Sequence, residues 1–136
     1  MSENQQHPFY ESWEDRKIMR FRALLVTHLE IRPHFVIQLD RGVSFESTAL
    51  PYKKSGPEAG APTTSFAKLS RQELETLIGS RPLVWLIFDD GHHMMVFSNE
   101  WHVLLFPREN DTWRLEVPGY SPITYPSAEF GSGASG

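Results

Sequence analysis

The chain has 136 residues, of which 40% are apolar and 12% aromatic; that fits one domain with its own core and excludes a disordered chain. Cysteine is absent, which excludes disulfide scaffolds, thiolate zinc sites and thiol chemistry. A formal net charge of -4 weighs against a general binder of phosphate backbones.

The N-terminal stretch MSENQQHPFYESWEDRK is polar and acidic, and apolar runs stay far below membrane-spanning length. The expectation is a soluble, cytoplasmic domain without signal peptide or membrane contact. Residues 1–15 read as a flexible segment, 16–126 as one globular domain, and 127–136 (SAEFGSGASG) as a flexible tail of linker-like composition.

In Met19–Leu25, the apolar residues Met19, Phe21, Ala23 and Leu25 alternate with Arg20, Arg22 and Leu24, predicting a strand whose first half has one wet face. Phe35, Ile37 and Leu39 form a second strand. Asp40-Arg41-Gly42 turns the chain into a third, Val43–Phe45, completing an antiparallel meander. Residues 51–64 (PYKKSGPEAGAPTT) carry three prolines and two glycines with no apolar period. They read as a mobile surface loop, of the kind that serves either as a connection or in binding.

Ser70 and Glu73 then form the S-x-x-E capping box, with Leu69 and Leu74 at staple positions. Leu74, Leu77 and Ile78 make one apolar stripe, and Gly79 ends this single short helix. Leu83–Phe88 and Trp101–Phe106 are apolar at successive positions, which predicts central strands buried on both sides. Asp90-Gly91 signals a two-residue hairpin between Leu83–Phe88 and His92–Ser98, and Asn99-Glu100 the next turn. Trp113, Leu115 and Val117 close the series as a neighbouring strand.

The resulting order, β-β-β-α-β-β-β-β, describes a strand-rich α+β fold. It has a mainly antiparallel curled sheet, or a partly open barrel, with one short helix packed on it. Open five-strand barrels of the oligonucleotide-binding kind also place a helix after the third strand, but no residue motif accompanies that shared order.

The densest polar group is Asp89-Asp90-Gly91-His92-His93. With a two-residue turn, Asp89 faces His92 across the ladder while His93 points the other way. Two imidazoles then cannot meet at one ion, and a stable zinc site needs three or four ligands. His102 is placed opposite Phe97, on the face of His93. No catalytic residue, metal or cofactor is assigned.

Asp89, Asp90, His92, Glu109 and Asp111 gather instead at one end of the strands, an acidic rim suited to a basic protein surface. The favoured function is a non-enzymatic protein-binding domain: a small acidic inhibitor or immunity-type protein, with a homodimer also compatible. One alternative is single-strand nucleic-acid binding through Lys17, Arg20 and Arg22. Another is an enzyme or small-ligand or metal binder using Asp89 and His92. Most of the tryptophan and phenylalanine rings are assigned to the core.

Overall fold

Strand alternation organises the molecule, and the computed structural model describes it for residues 6–127 and 130. The strands in chain order are β1 (Gln6–His7), β2 (Tyr10–Trp13), β3 (Arg16–Met19), β4 (Val26–Glu30), β5 (Phe35–Leu39), β6 (Ser44–Ser47) and β7 (Tyr52–Lys54). They continue with β8 (Thr63–Ser65), β9 (Pro82–Phe88), β10 (His93–Phe97), β11 (His102–Leu105), β12 (Trp113–Glu116) and β13 (Ile123–Tyr125). One sheet runs β1-β2-β3-β9-β10-β11-β7-β8 and the other β13-β12-β6-β5-β4, with each of these neighbouring pairs antiparallel. The fold is therefore strand-rich α+β with antiparallel sheets, and no closed barrel forms among the described residues.

The two sheets share one core. Phe35, Ile37, Leu39, Phe45, Trp113 and Leu115 of the smaller sheet are buried together with Trp85, Ile87, Met95, Phe97, Val103 and Leu105 of the larger. Phe45 joins them directly, with ring centroids 5.7 Å from Trp85 and 4.7 Å from His93. The edge-to-face Phe45–Trp85 pair adds roughly 0.5–1.5 kcal/mol beyond the area it buries.

The helix α1 (Arg71–Glu75) starts as its sequence dictates. Ser70 Oγ accepts from the Glu73 N–H at 3.0 Å, and Glu73 Oε1 accepts from the Ser70 N–H at 2.8 Å. These bonds stabilise the ionised carboxylate, so the Glu73 carboxyl ionises below the usual glutamate range. Leu74 and Leu77 enter the core. Ile78, expected on the same stripe, is 43% exposed, because the regular helix ends at Glu75 and the following turns rotate it outward.

Several expectations are corrected. Met19–Leu25 is not one strand: β3 stops at Met19, and residues 20–25 cross from the large sheet to the small one. The Leu25 N–H bonds to the Asp40 carboxylate and the Asp40 N–H to the Leu25 carbonyl, in place of a ladder. The meander is real, but its first strand is β4. Residues 10–13, expected within a flexible segment, form β2 against β3. Residues 51–64 contain the hairpin β7–β8, although they lack an apolar period. Pairing of β7 with the edge of β11 supplies the order that the hydrophobic pattern does not. In the tail, Phe130 is buried against Trp113; positions 128–129 and 131–136 lie outside the described residues.

β12 does not continue the series beside β11. It crosses into the small sheet between β13 and β6. The hairpins β9–β10 and β10–β11 both use three-residue loops, not two. Phe88 donates its N–H to the His92 carbonyl, and Phe97 donates to Trp101. The third loop residues, Gly91 (φ 93°) and Glu100 (φ 73°), take the left-handed conformation that such a bulged loop requires.

Candidate functional site

The larger sheet has two unlike faces. Inward-pointing Trp85, Ile87, His93, Met95, Phe97, Val103 and Leu105 are buried. Register places Val84, Leu86 and Phe88 of β9 on the opposite face, beside Ile18 of β3, Met94 and Val96 of β10, and Leu104 of β11. Trp13 and Phe106 stand at its two sides and are each 49% exposed, and Val84 is 38% exposed. Leu86, Phe88, Met94, Val96 and Leu104 are only half-buried. The expected two-sided burial of β9 and β11 is thus corrected: one apolar face is covered and the other is open.

The smaller sheet behaves as solvent demands. Its outward residues include His28, Glu30, Gln38, Glu46, Arg114 and Glu116, all exposed. An antiparallel sheet with one wet face ordinarily alternates apolar-in and polar-out. The outer face of the large sheet departs from that rule, and large exposed apolar patches mark interaction surfaces.

At one end of this face the rings form a row. The Arg16 guanidinium lies 4.7 Å from the Phe88 centroid and pairs with Asp15 at 2.9 Å. Phe88 stacks on His92 at 4.2 Å, and His92 on Phe106 at 5.2 Å. The three-residue loop brings Phe88, not Asp89, opposite His92. The acidic partner of His92 is Asp90, whose Oδ1 accepts from its backbone N–H at 3.0 Å and lies 2.7 Å from its Nδ1. Partial burial opposes ionisation of Asp90, but these contacts outweigh it, so its carboxyl ionises below the usual aspartate range.

Next to Phe106 opens an open-sided cleft of about 690 Å³, lined by Thr48, Ala49, Leu50, Tyr52, Thr63, Ser65, Phe106, Arg108, Glu109 and Asp111. The segment 51–64, expected as a loop, thus supplies part of one wall. Asp111 shapes another: it accepts from Thr48 Oγ1 at 2.9 Å and from the Arg108 N–H at 2.8 Å. Glu109 and Asp111 therefore border the apolar face through Phe106, which itself stacks on His92 beside Asp90. The Asp89-Asp90 turn emerges at this same end of the sheet, as β9 and β10 pair there.

The expected basic group is not brought together on one wet face. Lys17 points to the inner side, its Nζ 4.6 Å from the Tyr10 ring centroid and 5.6 Å from that of Phe130. Arg20 lies beyond β3 and pairs with Glu11 at 3.7 Å, and Arg22 is exposed on the crossover. His102 is also re-placed. It pairs with Val96 on the outer face, whereas His93 is buried inside. Among the described residues, no group of three or more His, Asp or Glu side chains is arranged to hold a metal ion.

His93 is the most perturbed polar group. Trp85 Nε1–H donates to its Nδ1 at 2.9 Å, so the neutral ring carries its proton on Nε2, which has no hydrogen-bond partner. The ring stands edge to face with Trp113 at 4.5 Å. Burial, helped by the neighbouring His92, pushes its pKa down to about 3. A neutral ring held between two sheets by indole groups is a packing element.

Exposed Trp13, Val84 and Phe106 were each present in the apolar counts, yet nothing in the sequence separates an open apolar face from a covered one. Comparison with protein-family models, curated proteins and solved structures finds no match to this chain. Among the described residues no helix is long and apolar enough to cross a membrane.

Proposed function

We propose that this is a non-enzymatic protein-binding domain, a small acidic inhibitor or immunity-type protein that docks through the outer face of its large sheet. The observation that carries this reading is the open apolar face running from Trp13 through Leu86 and Met94 to Phe106. Its chemistry also describes the partner. An apolar strip fits the middle of the face, and lysine or arginine groups fit the end where Asp89, Asp90, Glu109 and Asp111 lie. Interfaces combine a desolvated apolar centre with a polar rim in this way, and the rim charges steer encounter more than they add affinity.

The test is affinity capture from the native source, with and without nuclease, using the wild-type chain and a Leu104→Ser/Phe106→Ser variant. Both side chains point away from the core, so the variant keeps its fold. The expected result is one stoichiometric protein that survives nuclease, is lost with the double variant and weakens with an Asp89→Lys/Asp90→Lys pair. Equal capture by wild type and double variant refutes the reading. Recovery of nucleic acid moves the function to the arginines, and self-association lost in the double variant makes the partner a second copy.

A further inference from the structure

The row of rings on the outer face is capped at one end and open at the other. At the capped end the Arg16 guanidinium lies over Phe88, 4.7 Å from its centroid, and its Nε donates to Asp15 Oδ1 at 2.9 Å. A ring face and a carboxylate together hold a flat cation there. At the open end stands Phe106, just past β11. His92 stacks on one side of its ring at 5.2 Å, and the residue is 49% exposed. Among the described residues no cation lies over the Phe106 ring.

The cleft of about 690 Å³ opens beside that ring, and its size falls within the range of ligand sites. Asp111 gives this cleft an oriented carboxylate. Its Oδ1 accepts from Thr48 Oγ1 at 2.9 Å and its Oδ2 from the Arg108 N–H at 2.8 Å, and each oxygen keeps a second acceptor position. Among the described residues no cationic side chain pairs with it; Arg108 meets it through the backbone alone. Arg108 is also the one cationic residue of the lining, against Glu109 and Asp111. The carboxylate is close to the ring. One trans-bonded residue, Pro107, separates Phe106 from Arg108, so the Arg108 nitrogen lies within about 6 Å of the Phe106 Cα. The carboxylate bound to that nitrogen is then within about 9 Å of the same Cα. A guanidinium resting on the ring spans that interval.

We infer that this cleft seats an arginine side chain of the docked partner, its guanidinium stacked on the open side of Phe106 and donating to Asp111. The pairing repeats at the open end of the row what Arg16, Phe88 and Asp15 make at the capped end. Arginine fits better than lysine, because a planar guanidinium lies flat on a ring while its forked donors reach a carboxylate, and an ammonium is a compact, strongly hydrated charge. The inference rests on the reading that the outer face docks a protein, and it names the side chain which the acidic end of that face takes.

The experiment is an amide NMR titration of the full chain with the capped peptide acetyl-Gly-Arg-Gly-amide, with acetyl-Gly-Lys-Gly-amide as the control of equal charge. The expected result is saturable shifts centred on residues 48, 106, 108 and 111, with the lysine peptide at least about threefold weaker. Asp111→Asn keeps an oxygen acceptor and removes the charge; it is expected to weaken the arginine peptide about fivefold. Phe106→Leu removes the ring from an exposed position and is expected to weaken it about threefold, which gives a second reading should Asp111→Asn disturb the loop. The inference is overturned by equal affinity for the two peptides, by no saturable shift, by shifts centred on Trp13 and Val84, or by wild-type affinity in both variants. A silent titration beside a protein capture that still requires Leu104 and Phe106 overturns this inference and leaves the docking reading standing. A wild-type chain that captures no protein overturns both.

Discussion

His93 makes the molecule acid-sensitive, and replacing it with glutamine isolates the effect. The folded chain holds the imidazole neutral down to about pH 3, against an ordinary value of 6.5. The unfolded chain therefore takes up a proton as pH falls below 6.5, while the folded chain does not. Stability from this site is complete above pH 6.5 and is lost progressively between 6.5 and about 3. The slope is about 1.4 kcal/mol per pH unit, so lowering the pH from 6.5 to 5.0 costs about 2 kcal/mol. That window lies above the range in which Glu73 and Asp90 begin to contribute. In His93→Gln the amide oxygen still accepts from Trp85 Nε1–H but cannot titrate. The variant is weaker at pH 7.5 because it loses ring packing, yet its decline to pH 5.0 is shallower than wild type by about 2 kcal/mol. Urea unfolding followed by tryptophan fluorescence at each pH measures both slopes. Parallel slopes for the two proteins would refute the burial account.

Two further changes test the local geometry. Gly91→Ala is expected to cost at least about 2 kcal/mol, because φ is 93° and the new Cβ would meet the Tyr125 ring at 2.4 Å. Thermal unfolding measures the loss, and partial recovery in a Gly91→Ala/Tyr125→Ala double variant separates crowding from backbone strain. Ser70→Ala is expected to cost about 1 kcal/mol by leaving the Glu73 N–H without its cap, and a loss within error of zero in urea titration would contradict that value.

What was legible in the sequence was local. The capping box of Ser70 and Glu73 needs only residues three apart, and β5 shows its buried side by alternation alone. The hairpins were legible as hairpins, but the length of each loop was not. Asp90-Gly91 fits a two-residue turn, yet Gly91 serves as the bulge residue of a three-residue loop, and Glu100 does the same without glycine. One residue of slip changes cross-strand partners, which is why Phe88 and not Asp89 faces His92, and why His102 lies outside. The crossover at residues 20–25 was hidden for a different reason. Its alternation is genuine, but Leu25 hydrogen-bonds to Asp40, a partner that only the fold brings near.

The open face was hidden most deeply, since composition records how apolar a strand is and not what covers it. Val84, Leu86 and Leu104 read as central-strand residues because a fully buried strand is the usual reason for such a run. The small sheet supplies the inner contact for only one side of β9, β10 and β11. Evolution toward solubility alone would have placed polar residues on the other side, as on the exposed side of β5, β6 and β12. Retaining Trp13 and Phe106 half in solvent exposes the chain to aggregation, a hazard that becomes an advantage when a partner occupies the surface. On the proposed reading, the acidic turn at one end sets the approach of a partner, and the apolar strip sets how long it stays.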